Sequence, residues 1–280
     1  MVGIMSAMII TREPLIRPPT EGRTQSIGRY TLDLLREIGI GTGLFLASIS
    51  SMRHLLVSRR MRRETVAQIF AAGIKSLPVI TVVAIFTGMI LSLQIGLLLK
   101  DFSQEIYIGT TVMVTMLREM GPFMTGLILA ACVGSAMAAQ IGTMSVNDEI
   151  AALEIMSIDP VRFLMTPRIA AMLLVTPLLS FYTCMMGVLG GGIVGMTQLN
   201  IRWSQYIQNA LEFAAVKDLY VGLFKAMVFG AIISTVACYE GFATTQGAVG
   251  VGRATRSSVI TSFLLILIVG YFITSLFYNT

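Results

Sequence analysis

The chain has few charged residues for its length. Only 12% of its 280 residues are Asp, Glu, Lys or Arg, whereas 55% are hydrophobic and the mean hydropathy is +0.80. A soluble domain carries about 25% charged residues. Half of that proportion cannot cover a surface that faces water, so we expect lipid to solvate much of the protein.

Residue types that build catalytic and metal sites are also scarce. The single histidine, His54, cannot form a zinc site alone, and no nucleophile–base set for a lipid-modifying membrane enzyme is evident. Cys132, Cys184 and Cys238 lie in apolar stretches, which is typical of small hydrophobic residues rather than of a disulfide framework. No glycine is followed by lysine, so the chain has no Walker-type phosphate loop. We therefore predict a non-catalytic protein that binds neither ATP nor a metal.

The basic residues are concentrated near the N-terminus. Of the 20 Lys and Arg residues, 11 lie in residues 1–75, and five of these lie between Arg53 and Arg63. Such a cluster could bind nucleic acid, but beside apolar spans it favours a cytoplasmic flank that contacts anionic lipid headgroups. We therefore predict a cytoplasmic N-terminus and no nucleic-acid partner. The later loops carry equal numbers of basic residues on both sides and do not bear on the orientation.

Five stretches are long and apolar enough to cross a membrane as helices, since a span needs about 20 residues. They are residues 76–99, 120–147, 169–201, 219–239 and 257–280. We expect the second helix to begin some turns before residue 120, because residues 106–117 are also uncharged. With a cytoplasmic N-terminus, five spans place the C-terminus outside.

The region before the first span has a different character. Residues 1–29 contain three prolines and several arginines, which predicts a poorly ordered basic tail, and we find no cleavable signal peptide. Residues 30–65 predict a helix lying in the membrane interface, followed by the basic flank. A sixth span over residues 38–52 would be too short. The predicted fold class is an all-α membrane protein with five transmembrane helices and an N-terminal interfacial helix.

Small residues recur at every fourth position in two of the spans. In the second span they are Gly126, Ala130, Gly134, Ala138 and Gly142, and in the third span they are Gly187, Gly191 and Gly195. Small residues at this spacing let helix backbones approach closely in lipid. The partner helix can belong to the same chain or to a second subunit.

The segment between the second and third spans, residues 145–168, contains an unusual number of charges for this chain. Ser145, followed three positions later by Asp148, is typical of a capped helix start. An apolar stripe follows at helical spacing, formed by Ile150, Leu153 and Met156. Asp159 precedes Pro160, which disfavours a continuing helix. The pattern predicts a short amphipathic helix over residues 145–160 that needs a partner surface, whereas a solvated loop would need no such stripe.

Several separated motifs resemble those of one known family. They are GMILSLQ at 88–94, LREMGP at 117–122, GSAMAAQIGTM at 134–144, ALEIMSIDPVRFLMTPR at 152–168 and GAVGVGRAT at 247–255. Over about residues 31–277 the chain resembles MlaE-type (YrbE-type) permeases of MCE-associated ABC transporters. The resemblance implies a homodimer in the bacterial inner membrane that moves phospholipid or a related lipid between the inner and outer membranes. It also implies a partner ABC ATPase that holds ATP and Mg, and an MCE-domain protein on the far side.

The resemblance also implies roles for particular residues. The lipid cavity would be lined from the first span by Leu91, Leu98, Leu99 and Phe102. The cytoplasmic coupling helix would present to the ATPase Asp148, Glu149, Ile150, Leu153, Glu154, Met156 and Asp159. Glu119 and Lys225 match ionisable family positions within the membrane; Glu119 can pair with Arg118 or Lys225, or reach a lipid headgroup. Gly270 stands where some members carry an acid, which leaves a charge network through the fifth span unsupported.

A different class of function remains open at this stage. A secondary lipid transporter or channel would work without an ATPase, but such proteins commonly carry several midplane charges and internal repeats. Lys225 is the only charge that we place well inside a span, and the two halves show no convincing repeat. A small cytoplasmic regulator is a further candidate partner.

Overall fold

A computed structural model describes Gly39, Gly43 and residues 59–102, 104–199, 201–212 and 215–278. Within these ranges every regular element is helical. The ten α-helices are α1 (Arg59–Gly73), α2 (Leu77–Asp101), α3 (Ile108–Thr115), α4 (Gly121–Leu129), α5 (Ser135–Val146), α6 (Glu149–Ile155), α7 (Thr166–Thr197), α8 (Trp203–Glu212), α9 (Val216–Phe242) and α10 (Gly247–Tyr278). Short 3-10 segments occupy Ile74–Ser76 and Glu105–Tyr107, and π-helical segments occupy Met116–Met120, Ala130–Gly134 and Val161–Met165. The predicted tail and most of the predicted interfacial helix and basic flank lie outside the described residues.

Five helical stretches are long and apolar enough to cross a membrane, which confirms the predicted number. Spans one to five are Met61–Asp101, Ile108–Val146, Val161–Thr197, Val216–Phe242 and Gly247–Tyr278. The first three, at 41, 39 and 37 residues, are much longer than a bilayer requires. These three helices must therefore tilt in the membrane, or their ends must extend beyond the hydrocarbon core. Helix α6 joins spans two and three at one end of the bundle, and α8 joins spans three and four at the other.

Spans one and three pack backbone against backbone at their glycines. A Cβ atom on Gly88 would collide with the main chain of Gly187, and a Cβ atom on Gly190 would collide with the carbonyl of Ile85. Such close approach increases dispersion contact between helices, which is the main source of association where lipid removes the hydrophobic drive. Gly190 of span three thus faces span one, whereas the Cβ positions of the predicted ladder, Gly187, Gly191 and Gly195, lie closest to Met116 of span two and Tyr206 of α8 in the same chain.

The small residues of span two face span four in the same way. A Cβ on Gly126 would lie 3.3 Å from the ring of Phe229, and one on Gly134 would lie 3.1 Å from Ile233. Near the α6 end, a Cβ on Gly142 would lie 2.9 Å from the hydroxyl of Thr244. Of the two alternatives left by the sequence, these contacts favour packing within one chain.

Helix α8 packs against spans two and three and is fixed there by side-chain hydrogen bonds. The buried Tyr206 hydroxyl donates to the carbonyl of Val188 at 3.1 Å, and burial raises the pKa of Tyr206. Asn209 also joins α8 to span two and the turn before it, since its carbonyl accepts from Thr110 and its amide donates to Ile106. We call this side of the bundle the α8 end.

The connection between spans two and three differs from the sequence prediction at both of its boundaries. Ser145 belongs to α5, and its hydroxyl donates to the carbonyl of Thr244 at 3.1 Å rather than capping a new helix. Helix α6 begins at Glu149 after Asp148, which has a left-handed backbone with φ of 58° and makes no capping bond. The predicted start at Ser145 is therefore corrected to Glu149, because Ser145 finds its acceptor in Thr244, just after span four.

The predicted end of this helix is also corrected. Helix α6 ends at Ile155, and Ser157 has a positive φ of 59°. Asp159 starts the following helix instead of stopping the previous one. Its carboxylate accepts from the backbone N–H groups of Val161 at 3.0 Å and Arg162 at 3.3 Å, which is the bonding pattern of a helix N-cap.

The close contact of spans one and three predicts the effect of adding one methyl group. Gly88→Ala should destabilise the protein by about 1–3 kcal/mol, because the new Cβ overlaps the backbone of Gly187, which cannot rotate away. Gly252→Ala is the matched control, since nothing lies within 4 Å of its Cβ position. The control should be neutral or stabilising by up to about 1 kcal/mol. Thermal unfolding in detergent measures both, and equal melting temperatures for the two variants would contradict the packing.

Candidate functional site

A π-helical turn and the proline that follows it leave one backbone carbonyl of span two, that of Arg118, available to accept a side-chain hydrogen bond. The N–H of Gly121 bonds to the carbonyl of Met116, five residues earlier. The next residue, Pro122, has no N–H, so it cannot donate to the carbonyl of Arg118 four residues before it. The ammonium of Lys225 on span four takes that place, with Nζ 3.0 Å from the Arg118 oxygen.

The same ammonium group joins spans two, four and five. Lys225 Nζ lies 2.8 Å from the Glu119 carboxylate and 2.7 Å from the hydroxyl of Thr274 on span five. With the Arg118 carbonyl, these acceptors use all three hydrogens of the ammonium. The Lys225 side chain is 1% exposed, whereas that of Glu119 is 41% exposed. The structure therefore pairs Glu119 with Lys225, one of the three partners that the sequence allowed.

A second ion pair lies nearer the α8 end and uses different residues of the same spans. Arg118 Nε lies 2.8 Å from Asp218 Oδ1, and the Asp218 side chain is only 2% exposed. The hydroxyl of Tyr278, in the last turn of span five, donates to the same oxygen at 2.7 Å. The guanidinium of Arg118 and the ammonium of Lys217 lie 4.5 Å and 5.4 Å from the Tyr278 ring centroid.

Span five is thus attached to both ion pairs, although it contributes no charge to either. Thr274 donates to Glu119 at 2.7 Å and accepts from Lys225, and Tyr278 bonds to Asp218. Gly270 stands where an acid could have stood, and its carbonyl, 2.9 Å from the Thr274 hydroxyl, is an alternative acceptor for the one hydrogen of that group. The hydroxyl groups of Thr274 and Tyr278, one helical turn apart, therefore connect span five to the two ion pairs, although span five lacks the acid that some family members carry at residue 270.

Sequence reasoning missed Asp218, Thr274 and Tyr278. Asp218 was placed just before the fourth span, although it lies seven residues before Lys225 and therefore on the same face of a helix. That spacing was an available signal. Nothing in the sequence distinguishes Thr274 and Tyr278 from other hydroxyl-bearing residues, because their role depends on which helices meet.

The four residues predicted to line a lipid cavity divide into two pairs. Leu98 and Phe102 are 61% and 67% exposed near the α8 end of span one. Leu91 and Leu99 are half-buried and pack against a cluster that includes Tyr206 of α8. The first pair forms part of an apolar surface, and the second pair supports it from within the chain.

The residues predicted to couple to an ATPase also have unequal surroundings. Ile150 and Leu153 are half-buried, and Ile150 packs against a cluster containing Ile141 and Met165. Three acidic residues of this segment are exposed, namely Asp148, Glu149 and Glu154. The large exposed apolar side chains are Ile155 at 85% and Met156 at 60%. The apolar side chains available to a partner therefore lie at the end of α6: Met156 belongs to the predicted stripe, whereas Ile155 does not.

Among the residues that the structure describes, no group of three or more His, Cys, Asp or Glu side chains could hold a metal ion. Arg118, Asp218, Glu119 and Lys225 instead form two ion pairs, and Asp148, Glu149 and Glu154 form an exposed acidic surface at α6.

Comparison with known proteins identifies the family. The family model described as Permease MlaE matches residues 65–276, which include all the residues of the two ion pairs. The chain belongs to the MlaE permease family. It is 38% identical over 255 residues to a probable ABC transporter permease protein of Rickettsia typhi, which covers 90% of this chain and 96% of the relative.

Two further relatives show the range of the MlaE family. The intermembrane phospholipid transport system permease protein MlaE of Haemophilus influenzae is 31% identical over 259 residues, covering 91% of this chain and 97% of the relative. The chloroplastic protein TRIGALACTOSYLDIACYLGLYCEROL 1 of Arabidopsis thaliana is 32% identical over 217 residues, covering 78% of this chain and 62% of the relative. The chain is therefore a multi-pass membrane protein of a family of ABC transporter permeases.

The attachment of span five predicts the effect of removing one hydroxyl group. Thr274→Val keeps the shape but removes the bonds to Glu119 and Lys225, and should lower the free energy of unfolding by about 1.5–3 kcal/mol, the range for hydrogen bonds to charged groups. Thr274→Ser keeps the hydroxyl and should lose much less. Thermal unfolding in detergent measures both variants. A valine variant as stable as the natural chain, or a serine variant as damaged as the valine one, would show that the hydroxyl does not hold span five.

Proposed function

We propose that this chain is the non-catalytic membrane-spanning subunit of an ABC transporter that moves phospholipids or related lipids between the inner and outer membranes. A separate ATPase subunit supplies the energy and holds the ATP and Mg. The observation that carries this proposal is membership of the MlaE family together with near full-length similarity to the Haemophilus influenzae permease, which is named for intermembrane phospholipid transport.

The shape of α6 supports an ATPase contact at that end of the bundle. A seven-residue helix with no buried residue lies between two long spans and presents Ile155 and Met156 beside acidic side chains. Exposed apolar residues at the end of a membrane protein, outside the lipid, need another surface to remove them from water. We propose that the ATPase provides it, with Glu149 and Glu154 facing its basic residues and Ile150 and Leu153 anchoring α6 to the permease.

The opposite end of the bundle suits the lipid. Leu98 and Phe102 form an exposed apolar surface near the α8 end of span one, with Leu91 and Leu99 behind it. We propose that acyl chains lie on this surface in a homodimer, and that an MCE-domain protein covers the α8 end to receive or deliver the lipid. A small cytoplasmic regulator would act on the ATPase.

The proposed orientation places the α6 end in the cytoplasm and the α8 end on the far side of the bacterial inner membrane. The basic residues at the start of α1 support it, since arginine-rich flanks remain on the cytoplasmic side. The N-terminus is then cytoplasmic and the end of span five lies outside. The chain itself holds no cofactor in this proposal.

Substitutions at the end of α6 test the coupling. Ile155→Glu combined with Met156→Glu should reduce co-purification with the ATPase at least about tenfold, because two charges replace the apolar contact. Leu211→Glu is the matched control: Leu211 is 62% exposed on α8 at the other end of the bundle and should leave the complex intact. ATP-driven lipid transfer between reconstituted vesicles should fall in parallel. Full transfer by the double variant would overturn the coupling role, and transfer by this chain alone under an ion gradient would favour a secondary transporter.

A further inference from the structure

Helix α6 is separated from spans two and three by a break in the helical backbone at each of its ends. The break before it is Asp148, with a left-handed φ of 58°, and the break after it is Ser157, with a left-handed φ of 59°. Residues other than glycine seldom adopt this conformation, and it interrupts the hydrogen bonding of a right-handed helix. A displacement of α6 therefore cannot pass into the two spans along one continuous helix, and side-chain contacts must carry it.

The apolar contact beneath α6 joins the two spans without fixing their relative position. No residue of α6 is buried, and its half-buried Ile150 packs against a cluster containing Ile141 of span two and Met165 of span three. Such contacts have no preferred direction, so the helices can slide or turn while the contacts persist. The two spans need a directed bond between them if they are to move as one.

Arg168, in the first turn of α7, makes such a bond. Its Nη1 atom donates to the carbonyl of Leu164 at 2.8 Å, in the π-helical turn that begins span three. Its Nη2 atom lies 3.5 Å from the side-chain oxygen of Gln140 on span two. One guanidinium group thus contacts both of the helices that α6 connects. Among the described residues, the one other hydrogen bond between side chains of these spans joins Thr125 to Thr183, about four turns farther from α6.

The charge of Arg168 is not explained by stability. The residue is 7% exposed, and it forms no ion pair with a carboxylate of the described residues. Its Nε atom is buried and has no hydrogen-bond partner among them. Burying a cation against neutral acceptors is costly, and an apolar side chain of similar length would fill the same space at lower cost. An ionised group buried under these conditions indicates a role in function.

We propose that Arg168 is a positioning residue that makes spans two and three move together when α6 is displaced, with Gln140 as its partner. The bond to Leu164 holds the start of span three, and the contact with Gln140 holds the end of span two. A displacement of α6 then moves both spans by the same amount. The role in transport rests on the proposed function, whereas the link itself is a property of this chain alone.

The link is tested on the purified full chain without an ATPase, by hydrogen exchange read with mass spectrometry. Arg168→Met removes every donor, and Gln140→Leu, at an exposed position, removes only the acceptor on span two. Gln140→Glu turns the contact into an ion pair. Arg256→Gln is the control, since it removes an exposed cation from span five at the same end of the bundle.

We expect Arg168→Met to speed amide exchange about fivefold in residues 141–147 and in residues 159–165, the effect of losing one hydrogen bond on local opening. Gln140→Leu should act in the same direction in both segments, and Gln140→Glu should slow exchange there. The control should match the natural chain. Unchanged exchange in Gln140→Leu, or a change in only one of the two segments, would overturn the link. Thermal unfolding shows that each variant is folded.

The positioning role is tested on the complex with the ATPase in vesicles, as lipid molecules transferred per ATP hydrolysed. Arg168→Met and Gln140→Leu should co-purify with the ATPase at the natural level but transfer at least about fivefold less lipid per ATP, because α6 still binds while the two spans no longer move together. Gln140→Glu and Arg256→Gln should keep the natural ratio.

A residue that served stability alone would change the melting temperature and the yield of complex but not the ratio of lipid to ATP. A natural ratio in variants with faster exchange would therefore overturn the positioning role. Absence of ATP-driven transfer by the natural complex would contradict the proposed function, and the exchange measurement on the chain alone would still decide the link.

Discussion

The ammonium group of Lys225 imposes the constraint on which the rest of the structure depends. A cation buried among membrane helices must have its hydrogens satisfied and its charge balanced, because lipid offers neither water nor counterions. Lys225 meets both conditions by drawing on two other spans: a carboxylate and a backbone carbonyl from span two, and a hydroxyl from span five. Spans two, four and five must therefore keep their relative positions for the buried Lys225 side chain to retain its partners.

The residues around the Lys225 ammonium provide its backbone acceptor and the space that it needs. Pro122 removes the N–H that would have occupied the Arg118 carbonyl, and the π-turn before it brings two consecutive charged residues toward two different partners. Gly222 fits beside the carbonyl of Leu117, where a side chain would collide. Charge satisfaction and close packing are thus achieved by the same turn of span two.

The remainder of the bundle is held in a different way. Among the described residues, spans one and three share no ion pair. They meet through close glycine contacts and through one hydrogen bond, 2.8 Å long, between the hydroxyls of Thr81 and Tyr182. The ion pairs lie in the α8 half of spans two, four and five, whereas α6 extends from the opposite end with exposed apolar residues. A force applied at α6 would reach the ion pairs through span two, which runs from one region to the other. The function proposed above requires this arrangement, with the ATPase at the α6 end and the lipid at the α8 end.

The features that could be predicted are those set by local composition. The number of spans follows from long apolar stretches, and Lys225 can be recognised from the sequence because its charge interrupts one of them. The partners could not be predicted in the same way: Asp218 lies on the face of Lys225 but pairs with Arg118, and Tyr278 joins it from 60 residues away. The predicted cap at Ser145 failed for the same reason, since a carbonyl about 100 residues later in the chain became its acceptor. Residues that contact across helices are chosen by packing, which short-range patterns do not encode.

A double-mutant cycle between Glu119 and Lys225 measures how much the Lys225 ammonium contributes to holding spans two, four and five together. Unfolding in detergent would be measured for the natural chain, Glu119→Gln, Lys225→Met and the double variant. Lys225→Met should be the more damaging single change, because it leaves the Glu119 carboxylate without its counter-ion and the Arg118 carbonyl without its side-chain donor. We predict a coupling energy of about 1–3 kcal/mol between the two side chains. Additive effects, with no coupling, would show that the ammonium of Lys225 does not hold spans two, four and five together.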